Sequence, residues 1–273
     1  MTARELFRAR GKLTLRDEDA GATPLRDDKG NGKTKERERA QTAELTGQAA
    51  RLQEMLYGGH KHKLLLILQG MDTSGKDSTV SALFSQINPM GLHATGFTVP
   101  TERERAHDFL WRVHQRVPGA GEIGIFNRSH YEDVLVPRVS GELDAKACKR
   151  RYAQIRDFER MLFETGTTIM KIFLHISKDE QKKRLQARLD DPEKGWKFDP
   201  NDLRTRDRWI EYQRAYADAI RATDAEHAPW YIVPADSKTH RNLIVANLLL
   251  ETMQGMKLDW PAPKADLAAV KIE

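Results

Sequence analysis

Leu64-Leu65-Leu66-Ile67-Leu68-Gln69-Gly70-Met71-Asp72-Thr73-Ser74-Gly75-Lys76-Asp77-Ser78-Thr79 is the stretch from which the rest of the chain is read. Five consecutive apolar residues bounded by turn formers predict a buried strand of a parallel sheet. Apolar periodicity from Lys76 to Ile87 predicts a helix, so the segment reads strand, loop, helix. At that junction Gly-x4-Gly-Lys has a chemical meaning. Gly70 and Gly75 let the backbone curl until its N–H groups converge on phosphate oxygens, the helix start adds partial positive charge, and Lys76 neutralises a transferring group. Gly70, Thr73, Ser74, Gly75, Lys76, Asp77 and Ser78 are therefore the candidate phosphate-binding set. A glycine-rich turn with an incidental lysine is the plain alternative.

Two positions depart from the usual loop. Its lysine is normally followed by a hydroxyl residue that holds Mg²⁺; here Asp77 stands there, and Ser78 or Thr79 would have to supply the hydroxyl. Asp72 puts a carboxylate beside the phosphates, where it is repelled unless a cation or an acid/base role accounts for it. Hydrogen bonding to its own backbone is the alternative.

Working outward, apolar runs recur at Ala94–Val99, Ile123–Phe126, Thr168–His175 and Trp230–Val233. Helical patterns separate them: Arg103–Arg116, Asp144–Glu164, Lys178–Leu189, Asp202–Arg221 and Lys238–Met256, with Thr42–Tyr57 ahead of the first strand. Such alternation predicts an α/β fold of three layers, α/β/α, with a five-stranded parallel sheet, right-handed crossovers and helices on both faces. Residues 1–40, polar and rich in turn formers, predict a flexible arm rather than core. The main domain is expected over 41–258, with a lid at about 178–208 and a tail over 259–273.

A second constellation follows the third strand. Asn127-Arg128-Ser129-His130-Tyr131-Glu132-Asp133 would sit at the carboxyl end of that strand, where open α/β sheets bind ligands. Arg128 can clamp phosphoryl oxygens with its planar fork, and Glu132 and Asp133 offer hard oxygen ligands suited to Mg²⁺. The rival reading is that both acids complement the dipole of the next helix. Asn127, Arg128 and Tyr131 are the candidate nucleotide-binding residues, and Asp72, Glu132 and Asp133 the candidate metal ligands.

The loop Gly70-Met-Asp72-x-Ser-Gly75-Lys76-Asp77, the segment Phe126-Asn-Arg-Ser-x-Tyr-Glu-Asp133, and the later Asp191-Pro-Glu-Lys-Gly-Trp-Lys-Phe198 and Ala228-Pro-Trp-Tyr-Ile-Val-Pro234 together resemble the polyphosphate kinase 2 family of P-loop kinases. The likeness spans roughly Ala40 to Met256. It implies phosphoryl transfer between inorganic polyphosphate and AMP or ADP with Mg²⁺ (or Mn²⁺), and Asp72, Lys76 and Arg128 as catalytic residues. Where many members carry aspartate this chain has Asn127, which resembles the subgroup described as phosphorylating both AMP and ADP. The resemblance also implies a homo-oligomer, adenine or guanine nucleotides as partners, and a basic lid in which Arg184, Arg188, Lys194 and Lys197 hold polyphosphate. Arg184 and Arg188 are four residues apart and share one side of a helix, and the break at Asp191-Pro192 and Gly195 suits a hinge. For any one of these cations, ordinary solvated helix charge is the rival.

Composition narrows the choice. The 45 Lys+Arg and 40 Asp+Glu leave +5 over 273 residues, which favours anionic partners only weakly. No apolar run approaches the ~20 residues a bilayer needs, and no export signal opens the chain, so no membrane role is expected. The lone Cys148 suits a reducing cytoplasm. His107, His114 and His130 show no metal-ligand pattern. Two other functions stay open: an ATP-dependent nucleotide kinase of thymidylate-kinase-like type, and a nucleic-acid-binding protein with a vestigial loop. Against the second, no aromatic residues interleave with the basic ones.

Overall fold

A computed structural model of the chain describes residues 1–26 and 33–263. The elements run α1 (Ala3–Leu6), α2 (Thr34–Gly59), β1 (Lys63–Gln69), α3 (Lys76–Phe84), β2 (Leu92–Gly96), α4 (Glu102–Arg105), α5 (Trp111–His114), β3 (Ile123–Asn127), α6 (Glu132–Ser140), α7 (Ala145–Glu164), β4 (Thr167–His175), α8 (Lys178–Leu189), α9 (Pro200–Asp207), α10 (Trp209–Thr223), β5 (Trp230–Pro234) and α11 (Lys238–Gly255). The strands form one five-stranded sheet in the order β2-β3-β1-β4-β5, and every pairing is parallel. The α/β/α architecture read from the sequence is the one observed.

The apolar run of β1 occupies the middle of the sheet because it is buried on both faces. Its side chains alternate between two cores, as strand geometry requires. Leu65 and Ile67 join Phe126, Phe173, Ile155 and Phe158 of α7, and Tyr216 and Ile220 of α10. Leu64, Leu66 and Leu68 join Ile172, Leu56 of α2, Leu83 of α3, and Ile244, Leu248 and Leu249 of α11. The register sets Leu68 opposite Asn127 on one side, and Gln69 opposite Phe173 on the other. The loops after β1, β3, β4 and β5 therefore leave the sheet along one edge.

Some boundaries differ from the sequence reading. The stretch 103–116 forms only two short helices, α4 and α5, while 202–221 divides into α9 and α10 at Arg208. α2 begins at Thr34, eight residues before the expected start.

The residues before 27 do not stand apart from the core as an arm. Ala3 and Phe7 are buried in the second core. Ala9 N–H donates to Trp230 O at 2.8 Å and Ile232 N–H to Phe7 O at 2.9 Å, so this segment pairs with β5 and covers an edge that would otherwise expose unpaired backbone. Farther on, Asp17 accepts from Trp209 Nε1 (3.1 Å) and from Lys178 N–H (3.0 Å), tying the segment to the starts of α8 and α10. Three small or isolated apolar residues are too sparse a signal for periodicity to find. Most of the turn-rich stretch 27–34, and the tail beyond 263, lie outside the described residues. Among the described residues no helix is long and apolar enough to cross a membrane.

Phe7→Ala should cost about 3 kcal/mol of stability, as truncation of a buried aromatic does. Leu6→Ala, at a 40% exposed neighbour, should stay within about 0.5 kcal/mol. Chemical denaturation of both variants checks the pair; equal, negligible effects would mean that the segment is not part of the core.

Candidate active site

Between β1 and α3 the chain turns through Gly70 (φ 152°), Thr73 (φ 62°) and Gly75 (φ 100°). A Cβ on Gly70 would stand 2.6 Å from Leu174 O, so only glycine lets the loop pass β4 so closely. Thr73 accepts a left-handed conformation that costs a β-branched residue energy, a kind of strain that collects at functional loops.

Among the described residues the N–H groups of Gly75, Lys76, Asp77 and Ser78 donate to no carbonyl, and the first internal bond is Thr79 N–H to Gly75 O at 2.9 Å. Four donors thus converge at the start of a nine-residue helix, the arrangement that takes an anion. Thr73 Oγ1 and Ser74 Oγ are buried in the same loop without a hydrogen-bond partner. Unmatched buried polar atoms are rare enough that they mark a place built for a bound polar group.

Lys76 folds back over this loop, its Nζ donating to Gly70 O (2.8 Å) and Met71 O (3.3 Å). Burial first, and the neighbouring Arg128 second, push its ammonium down to about 8. Asp72, Glu132 and Asp77 act in the other direction. Arg128 leaves the end of β3 with φ 62°, its N–H bonded to Leu68 O at 3.0 Å, and its Nη2 donates to Asp72 Oδ1 at 2.7 Å. The cation that the loop carboxylate required is this arginine. Asn127 donates to Asp77 Oδ1 and joins the same rim. The hydroxyls of Ser78 and Thr79 both donate back to Gly75 O, at 3.0 Å each, rather than toward a ligand.

The sequence proposed three metal ligands, and the structure separates them. Glu132 belongs with Asp72: burial raises its carboxyl, and Arg128 and Lys76 are the cations that oppose the rise. Gln69, with its amide set to match both neighbours, donates to Glu132 Oε1 at 3.0 Å. Asp133 faces another way and is held by Arg112 at 2.9 Å. Among the described residues no three His, Cys, Asp or Glu side chains gather to hold a metal. Two hard carboxylates next to a phosphate cradle still fit Mg²⁺, which is usually bound by one or two carboxylates, with substrate oxygens and water completing its shell.

Tyr131 is the clearest correction. It was expected to contact nucleotide, yet it is buried to 1% exposure with its hydroxyl bonded to Glu159 (2.8 Å) and near Thr223 (2.9 Å). Lys171 donates to Glu159 (2.6 Å), Tyr131 (3.0 Å) and Thr223 O (2.9 Å), and His130 lies 3.3 Å from Glu159. Burial pushes the Glu159 carboxyl up, but Lys171 and His130 bring it below the ordinary range. This buried network, in which only the His130 Nδ1 lacks a partner, anchors the Arg128 turn from behind.

In the segment expected as a lid, three of the four expected phosphate ligands are already engaged by protein. Arg184 donates to Thr73 O, Ser74 O, Ala235 O and Asp236 O, and pairs with Glu180 at 2.8 Å. Arg188 binds Lys197 O (3.1 Å) and Asp202 (3.2 Å). Lys194 pairs with Asp191 on the surface, while Lys197 lies 5.0 Å over the exposed Trp196 ring. Three residues escaped the sequence reading. Gln181 donates to Asp72 O at 3.2 Å. Asp202 brings a carboxyl toward the site, and burial first and Asp72 second push it up to about 6. Arg241 lies under the loop. Each is one polar residue among others on its helix, with no spacing to mark it.

A family model described as polyphosphate kinase 2 matches residues 32–261. The chain is 52% identical over 231 residues to an "AMP/ADP-polyphosphate phosphotransferase" of Meiothermus ruber, covering 85% of this chain and 86% of that protein. It is 45% identical over 222 residues to an "ADP-polyphosphate phosphotransferase" of Rhodopseudomonas palustris, covering 77% of each. The crystal structure of a polyphosphate kinase 2 from Arthrobacter aurescens superposes with a TM-score of 0.91 at 45% identity, over 98% of this chain and 95% of that one.

Because Lys76 carries its charge only below about 8 in the free protein, association with tripolyphosphate should weaken as pH rises through that value. Bound anion favours the charged form, so the midpoint should move upward in the complex. Calorimetric titration across the range checks this, with Lys76→Met as the control that should lose the dependence.

Proposed function

This chain belongs to the polyphosphate kinase 2 family, and from that premise we propose that its phosphate loop takes the end of an inorganic polyphosphate and passes the terminal phosphoryl group to AMP or ADP. The chain is an enzyme of the phosphotransferase class. The observation that supports this reading best is the cradle itself: four free amides and the Lys76 ammonium beneath one rim, and the Arg128–Asp72 pair on the other.

Phosphoryl transfer asks little covalent chemistry of a protein, so positioning and charge carry the rate. In the proposed cycle the amides of Gly75 to Ser78 hold the terminal phosphate of the donor, and Lys76 swings from Gly70 O and Met71 O to meet its oxygens. Arg128 steadies the equatorial oxygens while keeping Asp72 from repelling them. An oxygen of the acceptor's last phosphate attacks, the bond to the penultimate phosphate breaks, and the donor leaves one unit shorter. Asp72 and Glu132 would hold Mg²⁺, or Mn²⁺ in its place, which when bound neutralises phosphate charge. The lid, rooted on the loop through Arg184, would keep water from competing with the acceptor.

For the acceptor we assign the pocket of about 540 Å³ between the α4–α5 segment, the start of α6 and the middle of α7. Its volume is that of an ordinary small-molecule site. Phe109 and Leu110 supply an apolar wall for a base, and Arg105, Arg112 and Arg151 supply positive charge. Arg112 and Arg151 already hold Asp133 and its carbonyl, so Arg105 is the cation left to greet a phosphate. We extend the reading to a homo-oligomer, for which the exposed Met161 and Phe163 of α7 offer apolar surface, and to a reducing cytoplasm, which suits the buried thiol of Cys148.

Incubation with AMP or ADP and either long-chain polyphosphate or a nucleoside triphosphate, resolved by nucleotide chromatography, should show turnover with polyphosphate. Turnover with the triphosphate alone would install the ATP-dependent kinase instead. Lys76→Ala should lower that rate by about a thousandfold or more with the fold intact by circular dichroism. Arg105→Ala should raise KM for the nucleotide about tenfold and leave KM for polyphosphate unchanged, in keeping with a charge-assisted contact to one substrate; equal changes in both would remove the assigned pocket.

A further inference from the structure

Two guanidinium groups lie beneath the phosphate loop, on the side away from the anion. That of Arg184 is paired with Glu180. That of Arg241, near the start of α11, pairs with no acid among the described residues. It is fully buried, and its donors end on neutral oxygens: Ser74 O (3.1 Å), Ser78 Oγ (3.0 Å) and Asn242 Oδ1 (2.8 and 3.1 Å). Among the described residues no carboxylate pairs with it, and the charged neighbour that most affects it is another cation, Arg184. Gly75 is shaped around it, since a Cβ there would stand 1.9 Å from Nη1.

A buried charge without a counter-ion is costly, and folds rarely keep one unless something else supplies the opposite charge. The geometry indicates what does so here. In a trans peptide the carbonyl and the following N–H point in opposite directions. Arg241 draws the Ser74 carbonyl backward, which turns the Gly75 N–H forward into the cradle. Its second nitrogen binds Ser78 Oγ and so steadies the first turn of α3, where the other free amides lie. An anion in the cradle would be linked to this guanidinium through one peptide unit.

We propose that Arg241 is a positioning residue of the donor site: it holds the Ser74–Gly75 peptide with its N–H toward the terminal phosphate, and its uncompensated charge has the bound phosphate chain as counter-ion. This rests on the reading that the loop takes polyphosphate. It assigns Arg241 no contact with either substrate.

The test compares wild type, Arg241→Met and Arg241→Lys, in steady-state kinetics with each substrate varied and in thermal unfolding with and without tripolyphosphate. Arg241→Met should raise KM for polyphosphate about tenfold or more and shift KM for ADP by less than about twofold, as loss of preorganised donors on one substrate does. Its ligand-free Tm should hold or rise, because a lone buried charge has gone, while the Tm gain from tripolyphosphate should fall to about half or less. Arg241→Lys, which keeps the charge but reaches only one of the two oxygens, should fall between; if the Met variant does not fold, this variant decides alone by its KM ratio. A lower ligand-free Tm with wild-type KM and wild-type tripolyphosphate gain would make Arg241 a structural brace and overturn the proposal, as would equal rises in both KM values. A wild-type protein that is stabilised by tripolyphosphate through Arg241, yet turns over no polyphosphate, would leave this inference standing and remove the donor assignment.

Discussion

A loop that binds an anion with its own amides must turn its carbonyls somewhere else, and those carbonyls are buried. Backbone oxygens cut off from water need donors. In this chain Lys76, at the end of the loop itself, takes Gly70 O and Met71 O, and side chains of distant elements take the others: Gln181 takes Asp72 O, Arg184 takes Thr73 O and Ser74 O, and Arg241 takes Ser74 O. The face that presents the free amides is therefore one side of a surface whose reverse is a set of cations and amides from α8 and α11. Much of the remaining architecture, including the parallel register that brings β1 and β4 to the same edge, brings those donors to the reverse side.

The same constraint explains why basic residues in the lid do two different tasks. Arg184 and Arg188 are on one helix, and residue type alone suggests one role for both. Yet Arg184 holds four carbonyls of the loops after β1 and β5, while Arg188 ties α8 to α9 through Asp202. A guanidinium is suited to either task because its donors are arranged in a rigid fork. Which task it performs depends on the oxygens that tertiary structure presents.

This accounts for what was legible in the sequence and what was not. The sheet could be read because Leu64–Leu68 has no polar face and because strand and helix periods alternate regularly after it. The loop could be read because Gly70, Gly75 and Lys76 are needed by local backbone geometry, which sequence encodes in adjacent letters. Tyr131 and Asp133 could not be placed correctly, since neighbours in a motif at a helix start point in different directions; Tyr131 turns into the Glu159–Lys171 network and Asp133 toward Arg112. Arg241 and Gln181 reach the loop through Ser74 and Asp72, each more than a hundred residues away in the chain, and Asp202 comes under the influence of Asp72 across a similar separation; no local pattern announces such a pair. The packing of the N-terminal segment is illegible for a related reason: its few apolar residues fill gaps beside β5 and have no period of their own.

Glu132 and Asp133 are joined by a single peptide, and one carboxylate looks into the phosphate chamber while the other looks into the chamber lined by Arg105 and Phe109. For descent with modification this is a convenient partition. On the proposed assignment of the acceptor pocket, changes to the wall that holds Asp133 can accumulate, and the taste for one acceptor or another can drift, without disturbing the half of the molecule assigned to the donor.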